Sequence, residues 1–319
     1  MSDGGGPAIR ARALARRYGD TQAVAGLDLD VAEGEFFGLL GPNGSGKTTS
    51  IHMLATLVRP SGGTASVAGC DVTAEGVAVR GRIGLVFQES ALDRSLSVAE
   101  NLSFAGALYG LGRQEVERRA HGLLDLFDMA GQWRSPVGAL SGGQRRAVDI
   151  IRGVLHEPRV LFLDEPTIGL DLPVRRRIWR FIEGLRARNR MTVLLTTHYL
   201  EEADGCDRVA FMRKGRLVLE GTPRALVDGL GRHMAEFESE RPEELEARAR
   251  PLLGQALRDG PLLLYRWPHE EIGPLAQLQD ELGPLAAGLR VRRPTLGDVF
   301  LWVHAGQSPV SADPTKVPP

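Results

Sequence analysis

The sequence has few of the residues that would crosslink a chain or hold it in a membrane. Its two cysteines, Cys70 and Cys206, do not form a C-x-x-C pair, which argues against a disulfide framework or a zinc site and fits a reducing cytoplasm. No apolar run approaches the ~20 residues of a membrane-spanning helix, and the N-terminus, MSDGGGPAIR, has no hydrophobic signal core. The formal net charge is only -1, so no global field draws the chain to nucleic acid or to an anionic membrane. We therefore expect membrane contact only through a specific partner.

Lysine is also scarce, and one of the few lysines stands in an unusual place. The chain has only Lys47, Lys214 and Lys316 among 39 basic residues. Because arginine is used almost everywhere else, Lys47 inside a glycine-rich loop indicates a need for a compact ammonium, where a planar guanidinium would not fit.

The glycine-rich loop, GPNGSGKT at 41–48, follows a short apolar strand at 35–40 and leads into a helix. It matches the phosphate-binding loop, whose glycines let backbone N–H groups surround the β- and γ-phosphates. Lys47 would reach the phosphate oxygens and Thr48 would ligate Mg²⁺. The alternative is a glycine-rich turn without a ligand, which the strand-then-helix setting disfavours. The loop predicts binding of a nucleoside triphosphate and does not specify the reaction.

Two acids end a second apolar run, VLFLDE at 160–165. This arrangement is expected where one carboxylate holds Mg²⁺ and the next polarises a water molecule. We assign Asp164 to the magnesium and Glu165 to the general base. An acidic turn after a core strand is the alternative, and the glycine loop in the same chain argues against it.

The segment LSGGQ at 140–144 places Ser141, Gly142, Gly143 and Gln144 at the start of a helix. A helix N-terminus with free N–H groups binds anions, so this is a second candidate phosphate site, which a single phosphate loop does not need. The alternative is a helix cap with a Gly-Gly turn.

The order of elements predicts an α/β fold, a P-loop NTPase cassette with a mostly parallel sheet, an antiparallel edge subdomain and an inserted helical subdomain. Antiparallel edge strands are expected near 8–14 and 24–31, and the helical subdomain at about 97–155. We predict a flexible leader at 1–7, the ATP-binding domain at 8–231, a small C-terminal α/β domain at 232–304 and a flexible tail at 305–319.

Together, the glycine loop, Gln88 in VFQES, LSGGQ, LFLDEPTIGLD at 161–171 and His198 in LLTTHYLEEAD resemble the ATP-binding-cassette (ABC) family over about 8–223. The resemblance implies a head-to-tail homodimer in which each ATP lies between the glycine loop of one chain and residues 141–144 of the other. The ATP-binding positions are Tyr18, Gly41, Pro42, Asn43, Gly44, Ser45, Gly46, Lys47, Thr48 and Thr49.

Further roles are implied only by the resemblance. Tyr18 stacks on adenine, and Gln88 approaches Mg²⁺ and the attacking water. His198 contacts the γ-phosphate, although a histidine alone is more often structural. Asp171 couples the two sites and, with Ser141 to Gln144, acts in trans. The implied catalytic set is Glu165, His198 and Gln88, and the implied magnesium set is Thr48, Gln88 and Asp164.

The segment from Arg292 to Leu301 resembles the daunorubicin-resistance type of ATPase, which works with ABC-2 membrane permeases. That resemblance implies a peripheral subunit at the cytoplasmic face of the membrane, powering export of a drug, antibiotic or lipid-like compound. A soluble ABC ATPase that is not coupled to transport remains the alternative. Soluble ABC proteins that act on DNA or ribosomes usually carry two cassettes, long coiled-coil insertions or zinc modules, and this sequence shows none of them. Its near-neutral charge also disfavours a nucleic-acid partner. The intact Lys47, Asp164, Glu165 and His198 argue against an inactive ATP-binding switch.

The sequence predicts a short apolar helix that contains Val299, Phe300, Leu301 and Val303. We expect these residues to pack either into the small domain's own core or against a second chain. The sequence leaves both open, and it does not identify the transported compound or the permease.

Overall fold

The computed structural model describes residues 6–267 and 269–306, without the side chains of Ala276 and Gln279. Residues 1–5 of the predicted leader and 307–319 of the predicted tail lie outside the described residues. The chain divides into two compact units between Leu217 and Val218. This division falls inside a strand, whereas the sequence places the domain boundary after residue 231, which stays a prediction. Within the described ranges, each helix is too short or too polar to cross a bilayer.

The first unit is built from strands and helices that alternate along most of its length. Its strands are β1 (Ile9–Tyr18), β2 (Thr21–Val31), β3 (Phe36–Leu40), β4 (Gly62–Val67), β5 (Cys70–Asp71), β6 (Ile83–Val86), β7 (Val160–Asp164), β8 (Thr192–Thr197), β9 (Arg208–Arg213) and β10 (Arg216–Gly221), the last of which crosses the division. Its helices are α1 (Lys47–Leu54), α2 (Gly76–Arg80), α3 (Val98–Leu108), α4 (Arg113–Asp125), α5 (Gly142–Val154), α6 (Leu172–Asn189) and α7 (Leu200–Ala203), with 3₁₀ turns at Ala130–Gln132 and Val137–Ala139.

A six-stranded sheet in the order β10-β9-β3-β8-β7-β6 forms the centre of this unit. The pairs β3 with β8, β3 with β9, β7 with β8 and β6 with β7 are parallel. Every residue of β3, β7 and β8 is buried, as expected for parallel strands covered on both faces. The carboxyl ends of β3, β7 and β8 therefore meet at one edge of the sheet, where the glycine loop, Glu165 and His198 follow.

A four-stranded sheet in the order β2-β1-β4-β5 lies beside the central one and is antiparallel. The predicted edge strand at 8–14 continues to Tyr18 because β1 pairs with both β2 and β4, with a register shift after Ala11 that leaves Ala13 at a φ of 45°. Helices α3, α4 and α5 fall within the predicted helical insertion. The α/β fold with parallel and antiparallel sheets is confirmed.

The second unit contains α8 (Pro223–Asp228), β11 (His233–Glu238), α9 (Pro242–Leu253), β12 (Leu257–Asp259), β13 (Leu262–Trp267), α10 (Gly273–Leu282), β14 (Gly288–Arg292) and α11 (Leu296–His304), with a 3₁₀ turn at Gly283–Leu285. Its sheet order is β12-β13-β11-β14 and its pairs are antiparallel. The succession β-α-β-β-α-β is that of a ferredoxin-like fold. Alternate residues such as Ala235, Phe237 and Tyr265 join α9 and α10 in one apolar core.

Helix α11 covers the opposite face of this small sheet. Trp302 is fully buried, and the guanidinium of Arg266 on β13 lies 5.9 Å from the centre of its ring. Asp298 accepts two hydrogen bonds of 2.7 Å from Arg292 at the end of β14 and closes a capping box with Thr295. Val299 is fully buried within the single chain, while Leu301 is 38% exposed. The segment resembling the daunorubicin-resistance type therefore fixes a helix to its own sheet.

Candidate functional site

The glycine loop lies between β3 and α1 and has little room for side chains at two of its glycines. Gly46 has a φ of 108°, and a Cβ there would lie 2.5 Å from the carbonyl oxygen of Ala23. A Cβ on Gly41 would lie 2.4 Å from the carbonyl oxygen of Met212. Helix α1, which begins at Lys47, has no acidic residue in its first turn to offset its positive end. The loop therefore presents a helix N-terminus suited to an anion.

Lys47 is buried inside this loop. Its Nζ donates to the carbonyl oxygens of Gly41 at 2.7 Å and Pro42 at 3.1 Å, and it lies 3.8 Å from Oε1 of Glu165. Burial lowers the pKa of Lys47, and the nearby carboxylates of Glu165 and Asp164 oppose that shift. A buried ammonium needs such partners, and the role of Lys47 in phosphate binding stays a prediction.

Asp164 ends β7 with its carboxylate buried between two hydroxyl groups. Its Oδ1 accepts hydrogen bonds from Thr48, at 3.1 Å, and from Thr196 on β8. The hydroxyl of Thr48 and the carboxylate of Asp164 are hard oxygen donors, the type that Mg²⁺ prefers alongside water and phosphate oxygens. The buried hydroxyl of Ser45 in the glycine loop has no hydrogen-bond partner among the described residues. These donors fit a magnesium ion bound together with a nucleotide.

Glu165 follows directly on Asp164 and has a strained backbone. Its φ is 46°, in the left-handed region, which costs roughly 1–3 kcal/mol and persists only when the surroundings impose it. Its N–H donates to the carbonyl oxygen of Thr196 at 3.0 Å. Its carboxylate is buried between the ammonium of Lys47 and the imidazole of His198. Oε1 lies 3.8 Å from Nζ of Lys47, and Oε2 lies 3.2 Å from Nδ1 of His198. The structure thus brings together Lys47, Asp164, Glu165 and His198.

Gln88, Tyr18 and Thr49 occupy more open positions. Gln88 is exposed on the loop after β6, and Thr49 is partly buried in the first turn of α1. Tyr18 ends β1 with 45% of its surface exposed, and the guanidinium of Arg16 lies 4.5 Å from the centre of its ring. An exposed ring of this kind is available for stacking on a base.

The SGGQ segment forms a capping box at the start of α5. The hydroxyl of Ser141 accepts from the N–H of Gln144 at 3.2 Å, and the side chain of Gln144 accepts from the N–H of Ser141 at 2.9 Å. Gly142 has open space where a Cβ would stand, whereas a Cβ on Gly143 would lie 2.9 Å from Val174. In this single chain the motif therefore has the geometry of a helix cap, and one of its glycines is required for packing.

Asp171 also caps a helix, because its carboxylate accepts from the N–H of Val174 at 2.9 Å at the start of α6. Throughout residues 6–267 and 269–306, no hydrogen bond or ion pair joins residues 141–144 or Asp171 to the glycine loop. The glycine loop and the SGGQ segment, the two segments for which the sequence predicts phosphate binding, therefore do not contact each other through polar groups in the described residues.

The sequence did not reveal three buried groups at the site. Thr196 bonds the carboxylate of Asp164 and the N–H of Glu165. Arg146 on α5 donates to the carbonyl oxygens of Phe87, Glu165 and Pro166. Glu202 accepts from the hydroxyls of Thr167 and Thr197. Burial raises the pKa of Glu202, and the hydrogen bonds from the two threonines oppose that shift. Thr196 stands at the polar end of a buried strand, which is a usable signal. Arg146 is one of many arginines and gives no such signal.

A glycine loop after β3, a carboxylate pair at the end of β7 in the same parallel sheet and a helical insertion define a nucleotide-binding cassette. The family model described as ABC transporter matches residues 24–168. Daunorubicin resistance ATP-binding protein DrrA3 of Streptomyces coeruleorubidus is 42% identical over 301 residues, covering 92% of this chain and 95% of that protein. The chain therefore belongs to the ATP-binding proteins of the ABC transporter family.

Other relatives and solved structures agree. Nod factor export ATP-binding protein I of Rhizobium sp. (strain N33) is 37% identical over 299 residues, covering 92% of this chain and 96% of that protein. A solved dimeric ATP-binding cassette in a post-hydrolysis state, bound to ADP and Pi, has a TM-score of 0.62 and 25% identity, covering 67% of this chain and 98% of that chain. The recognition of an ABC ATP-binding subunit of the daunorubicin-resistance type is confirmed.

Proposed function

We propose that this chain hydrolyses MgATP and that Glu165 is the general base. The observation that carries the proposal is the buried Glu165 carboxylate, which lies against Lys47 and His198 beside the Thr48–Asp164 pair. Glu165 would accept a proton from the attacking water, while Lys47 and His198 would bind the γ-phosphate. Thr48, Asp164 and Gln88 would hold Mg²⁺, which neutralises charge on the phosphate oxygens when it is bound.

We further propose that the working unit is a homodimer with two composite sites. Residues 141–144 form an accessible helix N-terminus without an acidic first turn, and they do not contact their own glycine loop through polar groups. A second chain placed head to tail would bring this helix end to the first chain's ATP, with Asp171 close to the junction. The solved relative that is dimeric and holds ADP and Pi supports this assembly.

A membrane permease of the ABC-2 type is the proposed partner, and export is the proposed direction. Relatives named for daunorubicin resistance and Nod factor export support this reading. In this chain, α3 exposes 66% of Phe104 and 71% of Leu108, which are one helical turn apart. Asn101 on the same helix bonds both the N–H and the carbonyl oxygen of Asp93, in the loop that follows Gln88. A protein docked on this apolar pair would therefore contact a helix attached to the Gln88 loop. We propose that the chain works at the cytoplasmic face of the membrane, bound to this permease.

The test is a Phe104→Ser/Leu108→Ser double variant, expressed together with an ABC-2 type membrane protein if the neighbouring genes encode one. We expect ATP binding to be unchanged, while capture of the permease and transport are lost. Leu252→Ser is the control, because Leu252 is 59% exposed on α9 in the other unit. Wild-type capture and transport by the double variant would exclude this docking surface. An absence of any membrane partner, together with normal ATPase activity, would favour the soluble ABC ATPase instead.

A further inference from the structure

Helix α5 carries a buried arginine one turn after the residues proposed to act on the second chain's ATP. The guanidinium of Arg146 donates from Nη1 to the carbonyl oxygen of Phe87 at 2.6 Å and from Nη2 to that of Glu165 at 3.2 Å. Its Nε donates to the carbonyl oxygen of Pro166. The planar guanidinium of Arg146 thus connects α5 to two separate loops.

Both loops carry residues of the proposed chemistry. Phe87 immediately precedes Gln88, and Glu165 is itself the proposed base. The left-handed backbone of Glu165 is held on its N–H side by Thr196 and on its carbonyl side by Arg146. Since this conformation is strained, removal of one of the two holding groups allows the backbone to relax and the carboxylate to move.

Backbone carbonyl dipoles stabilise the charge of Arg146. Over the described part of the chain Arg146 forms no ion pair, and its three hydrogen bonds are all donated to backbone carbonyl oxygens. Burial lowers the pKa of Arg146, and the carboxylates of Asp149, Asp164 and Glu202 oppose that shift. A buried cation of this kind is an inefficient source of stability compared with an apolar side chain of the same volume.

The same helix also holds the other end of the Gln88 loop. Oδ1 of Asp149, one turn further along α5, accepts from the N–H of Ala91 at 3.3 Å. Arg146 and Asp149 therefore hold the loop on both sides of Gln88, and the helix that carries them begins at the Ser141 cap.

We propose that Arg146 is a positioning residue that holds Glu165 and Gln88 of its own chain in fixed positions relative to the helix beginning at Ser141. Through it, the helix end that serves one ATP is connected to the base that serves the other. The inference rests on the proposed function, because it takes Glu165 and Gln88 as the groups to be positioned.

The test compares Arg146→Met with Arg119→Met in the full chain. Arg119 on α4 is a matched control, since its Nη1 donates at 3.1 Å to the carbonyl oxygen of Leu155 at the far end of the same helix. ATP binding, its stoichiometry and turnover per bound ATP are measured for each protein. We expect Arg146→Met to bind ATP within about threefold of the wild type. Its turnover per bound ATP should fall about 10- to 100-fold, as for other lost positioning contacts. Arg119→Met should lose thermal stability but keep its turnover.

A double variant separates positioning from general damage. If Arg146 acts through the Gln88 loop and the base, the losses from Arg146→Met and Gln88→Ala should not multiply when combined. Losses that multiply fully, or turnover per bound ATP within about threefold of the wild type, would overturn the inference. Arg146→Lys is the second variant, because it keeps a buried cation but cannot bond all three carbonyl oxygens. It is judged by the same two measurements, the turnover per bound ATP and the combined loss with Gln88→Ala.

The proposed function is tested separately by Glu165→Gln. If that change leaves turnover intact, the base assignment itself fails. If Glu165→Gln abolishes turnover and folded Arg146 variants retain it, only the positioning role is lost.

Discussion

Nδ1 of His198 lies 3.2 Å from Oε2 of Glu165, yet the two atoms do not form a hydrogen bond. The two side chains come from the ends of β8 and β7, which are neighbours in the sheet. The carboxylate is thus close to the imidazole without being bound to it, so it stays available to accept a proton from water. The chemistry proposed for Glu165 depends on this arrangement.

Replacing Glu165 with Gln tests the base directly. The amide keeps the size of the side chain but cannot accept the proton, so ATP should still bind while turnover falls by ~10²–10⁴-fold. ATP should then hold the dimer closed, which size-exclusion chromatography with and without ATP would show. Near-normal hydrolysis by purified, contaminant-free Glu165→Gln protein would contradict the assignment.

The composite site predicts a defect that acts in trans. Ser141→Arg should abolish hydrolysis but leave ATP binding to its own glycine loop intact, because the new bulk lies where the other chain's γ-phosphate docks. Mixed with a Lys47→Ala chain, it should restore one complete site, since both lesions can fall in the same composite site. Crosslinked mixed dimers that fail to trap even one nucleotide would reject the model.

Thr196→Val should weaken the use of magnesium. The variant loses the hydroxyl that donates to Asp164, and hydrogen bonds to charged groups contribute about 1.5–3 kcal/mol. We expect a higher Mg²⁺ concentration for half-maximal turnover and a lower kcat, measured by titration of Mg²⁺ at saturating ATP. Thr192→Val is the control, because Thr192 is buried at the opposite end of β8 and bonds Gly34 instead. Equal magnesium curves for both variants would contradict the role of Thr196.

Asp298→Asn should destabilise the C-terminal unit without affecting ATP affinity. Burial raises the pKa of Asp298, but hydrogen bonds from Arg292 and Thr295 outweigh it, and the pKa lies below the ordinary value. The contribution to the free energy of unfolding is therefore complete above the unfolded pKa, about 4, and is lost as pH falls through the lower folded pKa. We expect a loss of about 3 kcal/mol at neutral pH. Urea unfolding should show this difference shrinking as the pH falls below the unfolded pKa of about 4; a difference that stays constant would contradict the prediction.

The parts of the site with strict chemical requirements could be predicted from the sequence. Glycines that leave no room for a Cβ, a lysine among arginines and two acids after an apolar strand each restrict the residue types strongly. Arg146 could not be predicted, because only the packing of α5 distinguishes it from the partly exposed Arg145 beside it. The ferredoxin-like sheet order was also out of reach, since β11 pairs with strands distant in sequence, although the alternation of strands and helices was predicted. Of the apolar C-terminal residues, Val299 is already buried in the single chain whereas Leu301 stays exposed, a difference that the sequence does not reveal.

Helix α11, which covers the second face of the small sheet, is also the last described element to leave the ribosome. During synthesis from the N-terminus, the glycine loop, Asp164 and His198 are all available to fold before Trp302 and Asp298 exist. The ATP-binding unit can therefore finish folding while Met234 and Leu264 of the C-terminal sheet are still uncovered. Released chains truncated before residue 296 should therefore bind ATP yet leave this apolar face exposed, so helix α11 completes the folding of the C-terminal unit.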